Sequence, residues 1–253
     1  MSGGAFLSLE HEEFRNISQL LMELEIKTDD LKANRLQFPL YRGMQIDEIM
    51  KSSDPYAKKR SKAFRHLIQD LKHPEERDCM LPNTLQASLR DYQHTGFQWL
   101  KALARYSLGG ILADDMGLGK TVQSIAYMLS EKENRKEDKP FLIVAPASLL
   151  YNWKSEFETF APSLKVNVVA GSPKERKDLL NSDISTDVWI TSYPTLRQDT
   201  DLYTTFEFHT LILDEAQMIK NYRTKTAEAV RTVRAQKRFA LSGTPIENSL
   251  DEL

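Results

Sequence analysis

The sequence contains little cysteine, no long apolar run and no excess of charge of one sign. Cys79 is the only cysteine in 253 residues, so an intrachain disulfide and a cysteine-based zinc site are both excluded. No apolar run approaches the roughly 18 residues of a membrane-spanning helix. The first residues, MSGGAFLSLE, lack the basic and apolar regions of a secretory signal. We therefore expect a protein of a reducing compartment with no part in the membrane.

The charges nearly balance, with 34 Lys and Arg against 36 Asp and Glu and a formal net charge of -2. This balance gives no global reason to expect nucleic-acid binding, so any basic surface must be local. The segment 58–65, KKRSKAFR, has five basic residues and no acid. It is either the solvated face of an amphipathic helix or a contact for nucleic-acid phosphate, and the sequence leaves both open.

A helical N-terminal segment is predicted for residues 1–85, and it contains no phosphate-loop chemistry. Apolar residues recur there at helical spacing: Phe14, Ile17, Leu21 and Leu24, and later Phe64, Leu67, Ile68 and Leu71. Between these stretches, residues 36–46, LQFPLYRGMQI, are predicted to be an extended or turning connector.

A second domain is predicted for residues 86–253, where short apolar runs alternate with helical patterns. Strands are predicted at 109–113, 141–145, 166–170, 188–191, 211–213 and 238–241, and helices at 121–129, 148–160 and 226–233. Apolar strands separated by helices favour an α/β fold with a parallel sheet flanked by helices.

A stretch between a predicted strand and a predicted helix has the composition of a phosphate-binding loop. It consists of Asp114, Asp115, Met116, Gly117, Leu118, Gly119, Lys120 and Thr121. The glycines allow backbone N–H groups to point at a β-phosphate, and the following helix adds its positive N-terminal end. Lys120 can reach the phosphates of ATP, and the Thr121 hydroxyl can ligate Mg²⁺. Asp114 replaces the usual first Gly, and its carboxylate can hold the turn by an Asx-type bond.

Two acids follow the apolar run at 211–213, in LILDEAQ. If that run is a buried strand, Asp214 and Glu215 lie at its carboxyl end, where ligands bind in open α/β sheets. Asp214 can then hold Mg²⁺ and Glu215 can polarise an attacking water. The alternative, two surface acids after a strand, is disfavoured by the phosphate-loop pattern in the same domain.

Two further motifs border these elements. In LRDYQHTGFQWL the Gln93 amide donates and accepts at once, which suits the N6/N7 edge of adenine, although simple helix packing is an alternative. In LSGTPIEN the hydroxyls of Ser242 and Thr244 follow the last predicted strand. This turn is either a relay of the γ-phosphate state to a neighbouring surface or an ordinary connection.

Taken in order, six blocks resemble the first RecA-like lobe of the SWI/SNF-type superfamily-2 helicase-like ATPases. They are LRDYQHTGFQWL, ILADDMGLGKT, IVAPASLLYNWKSEF, ITSYPTL, LILDEAQMIKN and ALSGTPIENSLDEL. The resemblance covers residues 85 to 253 and implies a P-loop NTPase fold. Asp114 fits this family, whose loop is typically D-E-M-G-L-G-K-T, and Asp115 replaces its Glu.

The resemblance implies an ATP and Mg²⁺ site. Gln93 would recognise adenine, while Lys120 and Thr121 would bind phosphate and Mg²⁺. Asp214 and Glu215 would be the Walker-B pair. Gln217 would complete a DEAQ box, which resembles the bacterial members and implies a cytoplasmic, nucleoid-associated protein.

The resemblance also implies translocation along double-stranded DNA without strand separation. The residues expected to contact DNA phosphate are Ser148, Thr191 and Ser192, through hydroxyl or backbone donors, with Lys220 nearby. Tyr151 and Trp153 are expected to pack rather than to stack on bases. Family motors also need a second RecA-like lobe, which supplies arginines that in related NTPases accelerate hydrolysis by about 10³ to 10⁵. We therefore expect residues 1–253 alone to bind ATP and Mg²⁺ weakly and to hydrolyse ATP slowly.

Two other functions remain open at the level of sequence. The chain could belong to a strand-separating helicase or to the motor subunit of a restriction system. It could also be a protein-binding module, with RNA polymerase or another DNA-bound protein docked on the N-terminal helices.

Overall fold

A computed structural model describes residue 22 and residues 37–52, 60–76, 79–134, 138–182 and 185–244. The predicted helical residues Phe14, Ile17, Leu21 and Leu24 lie outside this description. Contacts divide the chain into two compact units, Met1–Lys72 and His73–Leu253. The boundary expected near residue 85 stays a prediction.

The described part of the first unit is a short helical hairpin. A 3-10 turn, Leu40–Arg42, runs directly into helix α1, Gly43–Ser52, and helix α2 spans Lys62–Lys72. The prediction of a connector was therefore wrong from residue 40 onward. Pro39 precedes the first turn, where its missing N–H costs nothing, and a Cβ on Gly43 would lie 3.4 Å from Leu67 of α2.

A buried carboxylate holds this hairpin. The Asp47 side chain pairs with Arg60 at 2.8 Å and with Lys72 at 3.2 Å. Arg60 belongs to the basic segment, so one of its charges has an intramolecular partner. Lys62 and Arg65 of that segment are exposed.

The second unit contains seven helices and six strands in the described ranges. Its helices are α3 Asp91–Arg105, α4 Lys120–Asn134, α5 Leu150–Phe160, α6 Pro173–Ser182, α7 Tyr193–Gln198, α8 Thr200–Tyr203 and α9 Lys225–Thr232. Its strands are β1 Gly110–Leu112, β2 Phe141–Ala145, β3 Val166–Val169, β4 Val188–Ser192, β5 Glu207–Leu213 and β6 Arg234–Leu241. In the described part of the chain, no helix has the length and apolar character needed to span a bilayer.

The six strands form one parallel sheet in the order β1-β6-β5-β2-β4-β3, which confirms the predicted fold class. Every residue of β2 and β4 is buried. This burial explains their continuous apolar sequences, since a parallel sheet covered by helices has no solvent face. Strands β5 and β6 begin at Glu207 and Arg234, earlier than predicted. Their first residues include several polar side chains, so they do not form an apolar run, but their backbones pair with each other.

The carboxyl ends of three neighbouring strands meet at one edge of the sheet. Leu112 of β1 is in register with Leu241 of β6, and Leu213 of β5 is in register with Ala240. The segments that follow β1, β5 and β6 therefore leave the sheet side by side. They are the phosphate-loop stretch, the acidic pair and the Ser-Gly-Thr turn.

Candidate nucleotide-binding site

The loop between β1 and α4 has the backbone that a phosphate cradle requires. Gly117 and Gly119 have φ angles of 82° and 79°, in the left-handed region that favours glycine. A Cβ on Gly117 would meet nothing within 4 Å, whereas one on Gly119 would lie 2.4 Å from Gln93 Nε2. Helix α4 begins at Lys120, so its free N–H groups face the loop. An anion fits this arrangement by both shape and charge.

The predicted loop residues divide into anchors and exposed positions. Lys120 Nζ donates to the Asp114 carbonyl at 2.7 Å and to the Asp115 carbonyl at 3.1 Å. Asp114 Oδ2 accepts from Gln123 Nε2 at 3.0 Å, so its partner is a side chain of α4 rather than the Asx-type bond expected. The exposed residues are Asp115, Met116, Gly117 and Leu118. Thr121 is half-buried in the first turn of α4.

Gln93 lies against this loop at the start of α3. Its Nε2 donates to the Leu118 carbonyl at 3.1 Å, and its Oε1 accepts from the Arg90 backbone N–H at 2.9 Å. The amide thus caps α3 and holds the loop at once. Its recognition of adenine stays a prediction.

Asp214 lies directly after β5 and is 9% exposed. Its Oδ1 accepts from the Glu215 backbone N–H at 3.0 Å, and its Oδ2 accepts from Trp153 Nε1 at 2.8 Å. Burial raises the pKa of Asp214 above its usual value, against the Trp153 hydrogen bond, and the Glu215 charge raises it further. The Lys120 charge acts in the opposite direction and lowers this pKa.

Glu215 begins a series of hydrogen bonds that ends in the turn after β6. Its φ of 49° is left-handed, an uncommon conformation for a non-glycine residue that costs about 1 kcal/mol or more. Glu215 Oε2 accepts from Gln217 Nε2 at 2.6 Å, and Gln217 Oε1 accepts from Ser242 Oγ at 2.9 Å. Ser242 Oγ in turn accepts from the Thr244 N–H at 3.1 Å. The structure therefore connects the predicted catalytic and coupling residues directly.

The phosphate loop also contacts the Ser-Gly-Thr turn. A Cβ on Gly243 would lie 3.1 Å from Met116 Cγ and 3.7 Å from the Met116 nitrogen. The three segments at this edge of the sheet are thus in contact with one another.

Sequence reasoning missed the polar role of two aromatic residues. Trp153 is 2% exposed, which agrees with the predicted packing role, but its indole N–H donates to the Asp214 carboxylate. Tyr193 donates from its hydroxyl to the Asp214 carbonyl at 2.8 Å. A buried indole N–H must find an acceptor, so the tryptophan in an otherwise apolar helix face was the available signal.

A third acid borders the Asp214 carboxylate. Burial raises the pKa of Glu156, and the charge of Asp214 raises it further. Glu156 is on α5, one turn beyond Trp153. The Asp214 charge therefore acts on a carboxyl group of a different element, α5.

The residues predicted to contact DNA divide by burial. Ser148 and Lys220 are exposed. Thr191 and Ser192 are 0% and 4% exposed, and Ser192 Oγ caps α7 by accepting from the Thr195 N–H at 3.2 Å. The side-chain hydroxyls of Thr191 and Ser192 are buried, because β4 pairs with β2 on one side and with β3 on the other. DNA contact, which was expected through hydroxyl or backbone donors, stays a prediction for all four residues.

The site fits Mg²⁺ held together with a nucleotide. Among the described residues, no group of three or more His, Cys, Asp or Glu could hold a metal ion by itself. Mg²⁺ is commonly bound through one or two carboxylates plus substrate phosphates. Asp214 and the hydroxyl of Thr121 are the residues that would contribute here.

Comparison with known families matches both parts of the chain. Residues 92–253 match the SNF2-related domain, and residues 1–82 match the domain described as bacterial SNF2 helicase associated. The first of these matches contains every described element of the sheet and the whole phosphate loop.

Individual relatives agree with this assignment. The TATA-binding protein-associated factor MOT1 of Saccharomyces cerevisiae is 41% identical over 201 residues, 75% of this chain and 11% of that protein. An uncharacterized ATP-dependent helicase of Mycoplasma pneumoniae is 45% identical over 176 residues, 70% of this chain and 17% of that protein. The chain thus spans less than a fifth of the length of these two relatives.

A solved structure has the same fold. The SWI2/SNF2 ATPase core of Sulfolobus solfataricus, in complex with dsDNA, is 38% identical and gives a TM-score of 0.63 over 70% of this chain and 36% of that chain. A second structure of that core domain gives a TM-score of 0.61. With its parallel RecA-like sheet and its phosphate loop, the chain belongs to the SNF2-related family of helicase-like ATPases.

Proposed function

We propose that this chain is the ATP-binding lobe of an ATP-dependent double-stranded DNA translocase that uses Mg²⁺. The observation that carries the proposal is the meeting of the phosphate loop and the acidic pair at one edge of the sheet. The Lys120 charge there acts to lower the pKa of Asp214. A cation for phosphate and a carboxylate for metal are the two groups that phosphoryl-transfer sites bring together.

Each residue has a role that follows from its position. The backbone N–H groups around Gly117 and Gly119 bind phosphate oxygens, and Lys120 exchanges its bonds to the loop carbonyls for bonds to phosphate. Thr121 and Asp214 hold Mg²⁺, which supplies neutralisation of the phosphate charge when it is bound. Glu215 orients and polarises the attacking water, and Gln217 holds the Glu215 carboxylate in place.

Gln93 is proposed to contribute base recognition in addition to its structural role. Its amide has a second N–H, because the bond to the Leu118 carbonyl uses one. Tyr92, the neighbouring residue of α3, is 40% exposed. An aromatic ring and an amide at the start of one helix suit an adenine ring.

The proposed DNA surface includes Ser148, in the 3-10 turn before α5, and Lys220, in the segment after the acidic pair. Both residues follow strands at the same edge of the sheet as the nucleotide site. The dsDNA complex of the Sulfolobus core supports DNA binding in this family. A phosphate-dominated interface predicts that affinity falls steeply with salt.

Hydrolysis at a useful rate is proposed to need a second RecA-like lobe. An arginine that reaches the γ-phosphate from another lobe is worth about 10³ to 10⁵ in rate in related NTPases. The residues of the site described above include Lys120 but no arginine. We therefore expect nucleotide binding by this chain with slow turnover, and a large increase when the second lobe is supplied.

Calorimetric titration with ADP and ATP in Mg²⁺ tests the nucleotide site. Lys120→Ala is expected to weaken binding by at least about tenfold, because it removes a charge-assisted bond to phosphate. Glu215→Gln is expected to keep binding within about twofold and to lose turnover, since it acts on the water. If both variants, placed in the two-lobed protein, kept normal DNA-stimulated hydrolysis, the residue assignment would be wrong.

The helicase names of the bacterial relatives favour strand separation as a second candidate. Displacement of an annealed strand, compared with displacement of a triplex-forming strand from an intact duplex, distinguishes the two activities. A translocase removes the third strand and leaves the duplex paired.

A further inference from the structure

Helix α5 has an outer face exposed to solvent and an inner face buried in the protein. Tyr151 is 66% exposed on the outer face, whereas Leu150, Trp153 and Phe157 are buried on the inner face. Trp153 and Phe157 rings pack at 6.2 Å between centroids. Within this buried face, only Trp153 has a polar side-chain atom, and that atom points at the Asp214 carboxylate.

The Asp214 carboxylate has one donor on each oxygen. Oδ1 accepts from the Glu215 N–H at 3.0 Å, and Oδ2 accepts from Trp153 Nε1 at 2.8 Å. Both distances are those of well-formed hydrogen bonds. A carboxylate held at both oxygens cannot rotate about its terminal torsion, and each oxygen keeps a lone pair for another ligand.

The backbone of Asp214 is held separately from its side chain. The Asp214 N–H donates to the Val144 carbonyl at 2.8 Å, and the Asp214 carbonyl accepts from the Tyr193 hydroxyl at 2.8 Å. These two bonds fix where the residue emerges from the sheet. The bond from Trp153 comes from a different element, α5, and acts on the carboxylate itself.

We propose that Trp153 is a positioning residue that orients the Asp214 carboxylate for Mg²⁺. This proposal rests on the function proposed above, because it presumes that Asp214 holds the metal. Trp153 does not contact nucleotide or metal in this role. Metal-binding carboxylates depend on such outer partners, whose loss commonly lowers metal affinity by about 10- to 100-fold.

The test measures metal binding rather than turnover. Mn²⁺ replaces Mg²⁺ as a paramagnetic probe, and electron paramagnetic resonance counts free Mn²⁺ in the presence of the chain and ADP. Binding of ADP without metal is measured in parallel, in chelator. Trp153→Phe keeps an aromatic ring but removes the N–H, and it is expected to raise the Mn²⁺ dissociation constant about tenfold. Metal-free ADP binding is expected to change by less than about twofold, since the phosphate loop is untouched.

Two further variants separate the hydrogen bond from packing. Phe157→Leu disturbs the same helix face and leaves the indole N–H, so its Mn²⁺ binding is expected to match that of the unaltered chain. Site-specific replacement of Trp153 by benzothienylalanine keeps the bicyclic shape but has sulfur in place of the N–H. It is expected to reproduce the loss seen with Trp153→Phe, and it serves if that variant does not fold.

The outcomes distinguish the two levels of the proposal. Absence of Mn²⁺ binding to the unaltered chain with ADP would overturn the proposed function itself. Normal Mn²⁺ binding by the benzothienylalanine chain would overturn the positioning role and leave the proposed function standing. An equal loss of metal-free ADP binding would also overturn it, because it would show a general structural role.

Discussion

Gln217 donates to Glu215 across 2.6 Å, and so holds the carboxylate of a residue whose own backbone is left-handed. The other end of the same amide accepts from Ser242 at 2.9 Å. One side chain therefore joins the segment after β5 to the segment after β6. This bridge explains why an amide follows the acidic pair, since a residue that only donates could not serve both partners.

Removing the Ser242 end of this bridge is expected to reduce DNA-stimulated ATP hydrolysis more than nucleotide binding. Ser242→Ala removes the donor to Gln217 Oε1 but leaves the Gln217–Glu215 bond, so ADP affinity should stay within about twofold. DNA-stimulated ATP hydrolysis should fall about three- to tenfold, in the range of coupling energies along such networks. The measurement is the ATPase rate of the two-lobed protein with and without duplex DNA, because this chain alone is expected to turn over slowly.

Met218→Ala is the control for this network, because Met218 is adjacent to Gln217 but 54% exposed. Its DNA stimulation should equal that of the unaltered chain. An unchanged stimulation ratio in Ser242→Ala would contradict the relay role of this turn.

Gln93→Ala is expected to destabilise the fold as well as the nucleotide complex. The substitution removes bonds to the Arg90 N–H and to the Leu118 carbonyl. The free energy of unfolding should fall by about 1 kcal/mol, as for loss of a helix cap. Urea unfolding measures this change.

Thr95→Ala is the control, because the Thr95 hydroxyl bonds only to the Asp91 carbonyl in the same helix. Lost adenine selectivity with unchanged stability would indicate that the amide does not hold the loop in solution.

Gly96→Ala is expected to disturb the phosphate loop from a distance. A Cβ on Gly96 would lie 1.8 Å from Gln123 Oε1, and Gln123 is the buried side chain that donates to Asp114. The overlap forces Gln123 to move, at a cost of about 1–3 kcal/mol. Thermal or urea unfolding should show this cost, together with weaker ADP binding.

A double variant tests that cause. Gln123→Ala empties the space that the new methyl group needs, so Gly96→Ala with Gln123→Ala should cost less than the sum of the single changes. Additive losses would show that the overlap with Gln123 is not the reason for the destabilisation.

Glu131 is expected to stabilise the fold in a pH-dependent manner. It pairs with Lys101 at 2.5 Å and with Lys237 at 3.2 Å, and Lys237 also lies 3.1 Å from His209 Nε2. Burial would raise the pKa of Glu131, but the bonds and charges of the two lysines hold it below the usual value. Glu131→Gln leaves both lysines without their carboxylate, so we expect a loss of about 2 kcal/mol at neutral pH.

The sign of the pH effect follows from the lowered pKa. The contribution of Glu131 is fully present above the ordinary pKa of 4.5 and is lost as the pH falls through the lower value of the folded state. The difference in free energy of unfolding between the unaltered chain and Glu131→Gln should therefore shrink as the pH falls below 4.5. Glu158→Gln is the control, since Glu158 is 64% exposed and lies 3.8 Å from Lys154. A difference that stays constant down to acid pH would contradict this account.

The sequence by itself determined the elements and the chemistry of single segments. The apolar runs indicated all six strands, because a parallel sheet covered on both faces requires continuous apolar sequence. The spacing of Gly117, Gly119 and Lys120 indicated the phosphate loop, because backbone conformation and the start of a helix are local properties. The acids after β5 were predicted for the same reason.

Only the tertiary structure decided which side chains meet across elements. Trp153 is 61 positions from Asp214, and Ser242 is 25 positions from Gln217, so no helical or strand periodicity in the sequence predicts either contact. Burial of Thr191 and Ser192 likewise follows from the place of β4 between β2 and β3 in the sheet order. Strand order, helix packing and the demand of each buried donor for an acceptor are properties of the folded chain.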